Sequence, residues 1–198
     1  AFAESEMTVT GGNLNISDTS GSEGTSYTRT VPTITSTSDF ILKFRARLNS
    51  SSNYNYFGLL GGVSDGAHVF YFGLDTNAVG FLNTNNWSRL GTAIPMNTTS
   101  AFHDYELKRV GGTVTLTVDN TTSTSLADSS FGTNGVGTYF TFGTGDVNTS
   151  NVDIDYIRYQ IGSSTFTTQP MAPWASEALS STRGASDGFP LKSYLVST

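Results

Sequence analysis

The chain has 198 residues, with 16 carboxylates against 10 lysines and arginines, a net charge of -6 and no cysteine. The acidic balance argues against duplex nucleic acid and anionic membranes as general partners, and the missing cysteines exclude thiol catalysis, thiolate-bound zinc and disulfides. Only 13% of residues are charged while serine and threonine number 56, so the surface is rich in hydroxyls, and no apolar run approaches the ~18 residues needed to span a bilayer.

The opening Ala1-Phe2-Ala3 has the small-x-small pattern that borders signal-peptidase cleavage, although an arbitrary start reads the same way. Beyond it, side-chain character alternates with a period of two and hardly anywhere with the 3.6-residue period of a helix. Short strands are predicted over 7–10, 14–17 and 27–31. The clearest strand covers 39–48, where Phe40, Leu42, Phe44, Ala46 and Leu48 take one face and Ile41, Lys43, Arg45 and Arg47 the other. Strands follow over 56–60, ended by Gly61-Gly62, then over 68–75, 79–82 and 87–90. The series continues over 102–109, 113–119, 122–126, 137–142 and 152–161, with Gly, Asn, Asp and Ser turns between. Gly111-Gly112 predicts a tight hairpin, because both central residues of a type I′ turn require positive φ.

This many short strands, without a repeat at fixed period, predict an all-β sandwich or barrel, with two antiparallel sheets of about five to seven strands each. The strand-bearing domain covers residues 1–161. From 162 to 198 the alternation fades into a Ser/Thr/Pro-rich tail or linker with Pro170, Pro173 and Pro190. Pro173 suits the first position of about two helical turns, which would dock Trp174 on the sandwich.

Four segments carry a family resemblance. They are Asp39-Phe-Ile-Leu-Lys-Phe-Arg-Ala-Arg-Leu48, Tyr56-Phe-Gly-Leu-Leu60, the hairpin from Phe102-His-Asp-Tyr-Glu-Leu-Lys-Arg109 to Thr113-Val-Thr-Leu-Thr-Val-Asp119, and Val152-Asp-Ile-Asp-Tyr-Ile-Arg158. In order and content this series resembles the concanavalin A-like lectin/glucanase superfamily, near its laminin-G-like members, over residues 5–161. The resemblance implies a jelly-roll β-sandwich. It also implies an oxygen-ligated calcium at a sheet rim, for which Asp153 and Asp155, or Asp65 and Asp75 at strand ends, supply carboxylates. The Glu-x-Asp-x-x-Glu strand of the superfamily's glucanases is absent, as are the Arg, Gln-x-His and Tyr-rich strand motifs of its alginate lyases.

Asp104 with Glu106 and Asp153 with Asp155 are carboxylate pairs at i, i+2, which places each pair on one strand face. Such pairs serve glycosidic chemistry or simple cross-strand pairing with Lys and Arg. His68 and His103 sit in no nucleophile or metal-ligand spacing, and His103 reads as a core-edge residue. Sugar recognition needs aromatic faces and planar hydrogen-bonding groups, for which Tyr54, Tyr56, Tyr71, Trp87, Arg89 and Tyr139 are candidates. Trp87 follows the polar Asn83-Thr-Asn-Asn86 and precedes Arg89, so it reads either as a loop-borne platform or as a plug at one end of the core. Lys43, Arg45 and Arg47 project three cations at roughly 7 Å intervals, suited to an acidic polysaccharide unless Asp153 and Asp155 pair with them. Six Asn-x-Ser/Thr sequons, at Asn15, Asn49, Asn86, Asn97, Asn120 and Asn148, are expected by chance in so hydroxyl-rich a chain.

The expected function is a secreted, extracellular carbohydrate-binding module for a polysaccharide. Its ligand contacts are Lys43, Arg45, Arg47, Tyr71, Trp87 and Arg89; Asp153 and Asp155 hold calcium, and no residue is catalytic. The alternatives are a polysaccharide hydrolase or lyase on the same scaffold, and a non-catalytic spacer or adhesion domain of a larger surface protein.

Overall fold

In chain order the strands are β1 (Met7–Thr10), β2 (Asn13–Asp18), β3 (Gly24–Thr30), β4 (Phe40–Ser51), β5 (Leu59–Asp65) and β6 (Val69–Leu74). They continue with β7 (Ala78–Leu82), β8 (Arg89–Pro95), β9 (His103–Val110), β10 (Thr113–Val118), β11 (Thr122–Ala127) and β12 (Thr138–Gly143). The last four are β13 (Ser150–Ile161), β14 (Thr167–Gln169), β15 (Ser180–Ser181) and β16 (Leu191–Leu195). The structure is a computed structural model and describes residues 7–19, 24–31, 33–52, 58–133, 137–144, 149–163, 167–169, 180–181 and 191–195. Among these there is no α-helix, only a 3-10 turn at Asp128–Ser130. The helical turns predicted from Pro173 lie outside the described residues.

Two eight-stranded sheets face each other as a jelly-roll β-sandwich. Sheet A has the order β1-β2-β13-β4-β9-β10-β11, with β14 also paired to β13; sheet B has the order β15-β16-β3-β12-β5-β6-β7-β8. Among the described residues the strand pairs are antiparallel except β16 with β3. The sheets exceed the predicted width because β14, β15 and β16 lie in the stretch where alternation fades.

The alternation explains the core. The even-numbered residues 40–48 of β4 point inward and are all buried, while β9, β10 and β13 send in Tyr105, Leu107, Leu116, Ile154 and Ile157. Sheet B answers with Phe70, Phe72, Phe81, Phe140 and Phe142. Phe44 bridges the layers, stacked on Phe72 at 5.0 Å and on Tyr105 at 4.9 Å, with Phe142 edge-on at 5.0 Å.

Gly111 and Gly112 have φ of +55° and +79° and close the β9–β10 hairpin as the sequence predicts. Gly61-Gly62 does not end a strand. Both glycines lie inside β5 because rings cross them: a Cβ on Gly61 would overlap the Phe72 ring, and one on Gly62 would come within 2.6 Å of Tyr71 Cδ1. Trp87, predicted to begin a strand, lies in the turn before β8. One inward position of β9 is charged. Arg109 is 5% exposed and donates to the carbonyls of Ser38 (2.7 Å) and Ser36 (2.9 Å) and to Asp128 Oδ2 (2.7 Å).

Candidate functional site

The β7–β8 turn builds the clearest surface feature. Asn83 Oδ1 accepts from the Asn85 amide at 2.8 Å, and Asn86 Oδ1 accepts from the Ser88 amide at 3.1 Å and the Ser88 hydroxyl at 2.7 Å. Such asparagine turns hold the backbone without help from the core. The Trp87 amide donates to Asn83 O at 2.8 Å, and the Asn83 amide donates to Ser88 O at 2.9 Å. Trp87 itself has φ +56°, a left-handed conformation that costs a bulky residue about 1–3 kcal/mol and persists only where its surroundings enforce it.

That conformation sets the half-buried indole on the outer face of sheet B, 5.4 Å from the Tyr71 ring and tilted 43° to it. Register explains the meeting. Thr141, Gly62, Tyr71, Leu82 and Arg89 form one row across β12, β5, β6, β7 and β8. Tyr71 lies down over Gly62, and Trp87 packs on the patch formed by Leu60, Val69, Tyr71, Ala78 and Leu82. Tyr71 is 7% exposed and supports the indole from beneath, whereas Arg89 at the end of the row is exposed. Three sequence candidates, Tyr71, Trp87 and Arg89, are thus brought together. Tyr139 lies two residues from Thr141 on β12, and Tyr54 and Tyr56 lie outside the described residues.

The other three, Lys43, Arg45 and Arg47, stand on the opposite side of the molecule, on the outer face of sheet A. They form the predicted row, and every cation in it is paired: Lys43 with Glu106 at 2.9 Å, Arg45 with Asp155 at 3.3 Å and Arg47 with Asp153 at 3.0 Å. Phe102 lies under both arginines, with guanidinium-to-ring distances of 5.5 Å for Arg45 and 5.0 Å for Arg47. The row is a neutralised cross-strand network, the alternative that the sequence sets against a strip for acidic polysaccharide.

Asp153 and Asp155 do not fit a calcium site. Asp153 accepts from Asn15 (2.8 Å), Asn49 (2.9 Å) and Arg47 (3.0 Å), and Asp155 faces Arg45. Burial pushes the Asp153 carboxyl up, but these donors outweigh it and hold its pKa below the usual range. Asp65 and Asp75 instead cap turns, each through one carboxylate oxygen that accepts from two backbone amides at 2.6–2.8 Å. Among the described residues no three His, Cys, Asp or Glu side chains gather around a point.

Sequence reading missed the asparagine ladder of Asn15, Asn49 and Asn151 around Asp153, because asparagine spacing does not distinguish a ladder from a turn. It also missed Tyr156. A bulge between Ile154 and Tyr156 puts Asp155 and Tyr156 on the same outer face, against strict alternation. The Tyr156 hydroxyl donates to Asp104 Oδ1 at 2.7 Å, and burial with this partner raises its pKa to about 12. His103 sits between Asp119 Oδ2 (2.7 Å) and the Asn97 carbonyl (3.0 Å), joining two loops at the sheet rim.

No protein-family model and no curated protein sequence matches the chain. Solved structures do. A carbohydrate esterase of the Shiga toxin-encoding bacteriophage phi24B is 14% identical with a TM-score of 0.51, over 76% of this chain and 81% of that one. The exoplasmic domain of VIP36, solved with calcium and a mannose glycan, is 13% identical with a TM-score of 0.48, over 78% and 81%. The alginate lyase of a Corynebacterium species is 14% identical with a TM-score of 0.43 over 65% of this chain, which spans 60% of the lyase. At these identities the likeness is one of fold alone, that of a jelly-roll β-sandwich.

Proposed function

We propose that the protein is a secreted carbohydrate-binding module whose ligand surface is the Trp87 indole, backed by Tyr71 and flanked by Arg89. The observation that carries this reading is the β7–β8 turn, where asparagine hydrogen bonds hold a tryptophan at φ +56° over a second aromatic ring. A core plug needs no such strain. A sugar stacks its C–H face on an indole and releases the water there, and a turn fixed before binding leaves little order to be lost on association. Arg89 supplies planar donors toward ring oxygens or hydroxyls at the rim.

The two carboxylate pairs favour binding over hydrolysis. A glycosidase acid must hold its proton near neutral pH, which takes a raised pKa. Asp153 is shifted the other way, and Glu106 is tied to Lys43. The paired cation row gives no support to an acidic glycan, so a neutral polysaccharide is the proposed class. A glycan array tests this, with assays for new reducing ends and unsaturated products run on the polysaccharides that bind. Binding without turnover is expected; turnover, or a blank array, would contradict the proposal.

A further inference from the structure

The bulge in β13 has a second effect on the outer face of sheet A. Strict alternation would let either Asp155 or Tyr156 face outward; the extra residue lets both do so. Asp155 pairs with Arg45, whose guanidinium also approaches Phe102. Tyr156, opposite Arg45 in register, reaches across β4 to Asp104 on β9. On the other side, Lys43 and Glu106 pair in the neighbouring row, with Thr117 beside Glu106. Between these walls lies a cleft of about 110 Å³, lined also by Asn120 in the β10–β11 turn, whose φ is +55°.

We infer that this cleft is a second ligand site, on the opposite side of the molecule from Trp87, and that it takes the neutral vicinal hydroxyls at the edge of a sugar or similar polyol. Asp104 and Glu106 each spend one oxygen, on Tyr156 and Lys43, and the other oxygen of each has no partner among the described residues. Carboxylates are the strongest acceptors for hydroxyl protons. Thr117 and Asn120 add donors, and Tyr156, whose ring stacks with the Arg158 guanidinium at 4.8 Å, lines one wall. Asp104 and Glu106 face Lys43 across the cleft, and the guanidiniums of Arg45 and Arg158 lie beside Tyr156, so the surrounding charges are close to balanced. A neutral ligand with adjacent donors and acceptors matches that balance. The volume admits one edge of a pyranose, so the site suits a chain end or a branch and leaves an extended chain to the other face.

This inference stands apart from the Trp87 surface, and the experiment separates the two. The full-length Trp87→Ala protein, labelled with nitrogen-15, is titrated with the methyl glycosides of glucose, galactose, mannose and xylose, and with glycerol as the minimal diol. Saturable amide shifts are expected at residues 104–106, 117–120 and 156 with at least one probe. Glu106→Gln and Tyr156→Phe, both outer-face and conservative, are expected to weaken that binding roughly tenfold. No saturable shift at these residues with any probe, or equal affinity in both variants, would overturn the inference. Failure of the Trp87 reading shows separately, as equal polysaccharide binding by the wild type and Trp87→Ala.

Discussion

Removing the Asp128 carboxylate would leave the Arg109 guanidinium buried without its counter-charge. The Arg109 side chain is 6% exposed and Asp128 is 23% exposed, with 2.7 Å between them. Leaving one partner of a fully buried pair uncompensated costs about 3–5 kcal/mol. Here the carbonyls of Ser36 and Ser38 still accept from the guanidinium and Asp128 reaches solvent, so we expect about 2 kcal/mol for Asp128→Ala at neutral pH. Arg109→Met keeps the inward volume and removes the charge, and a double-mutant cycle should give a coupling of about 1–2 kcal/mol. Urea unfolding of the four proteins measures it, provided the m-values agree. The pair also fixes a pH dependence. The hydrogen bond from Arg109 holds the Asp128 carboxyl below its usual pKa. Its contribution is complete above the unfolded value of about 3.9 and is lost as pH falls through the lower folded value. The wild type should therefore lose its advantage over Arg109→Met in that acid range. A coupling below about 0.5 kcal/mol, or parallel acid profiles, would refute the clamp.

Asp75→Ala removes the acceptor for the Asn77 and Ala78 amides and should cost about 2 kcal/mol in thermal or urea unfolding; Asp75→Asn keeps the acceptor and should recover most of it. The double change Arg45→Ala, Arg47→Ala breaks pairs whose arginines are 44% and 38% exposed, so each pair should cost under about 1 kcal/mol. Heparin and alginate binding at low salt should not change in that double mutant, and a clear loss would restore the row as a ligand site. Gly62→Ala should destabilise by about 1–3 kcal/mol in urea and disturb the Tyr71 ring signals in NMR, because its Cβ would press on that ring; an unchanged spectrum would contradict the packing described.

Alternation made most of the sandwich legible. Phe40 to Leu48 names its buried face residue by residue, and Gly111-Gly112 names its turn. Alternation fails where one residue breaks the period or a glycine has a packing role. Asp155 and Tyr156 share a face through a bulge that leaves no mark in residue type, and Gly61-Gly62 reads as a stop until the rings of Phe72 and Tyr71 are seen across it. The site divides in the same way. Trp87 stands out after a run of asparagines, but that Tyr71 lies beneath it depends on a register between strands that sequence does not give. Conversely, the spacing of Lys43, Arg45 and Arg47 is plain in the sequence, as is the alternative that Asp153 and Asp155 pair with them, whereas Glu106 as the partner of Lys43 emerges only from the register of the neighbouring strand.

The central claim is that the strained Trp87 turn presents a sugar platform. Affinity electrophoresis through gels cast with neutral polysaccharides tests it most directly, comparing the wild type with Trp87→Ala while unfolding curves monitor the fold. The wild type should be retarded by at least one polysaccharide and Trp87→Ala should lose roughly tenfold or more in affinity, as expected of an aromatic anchor, with its melting temperature little changed or raised by relief of the strain. Equal retardation of both proteins, or a melting temperature that falls as for a core truncation, would show that Trp87 plugs the sandwich and binds no sugar.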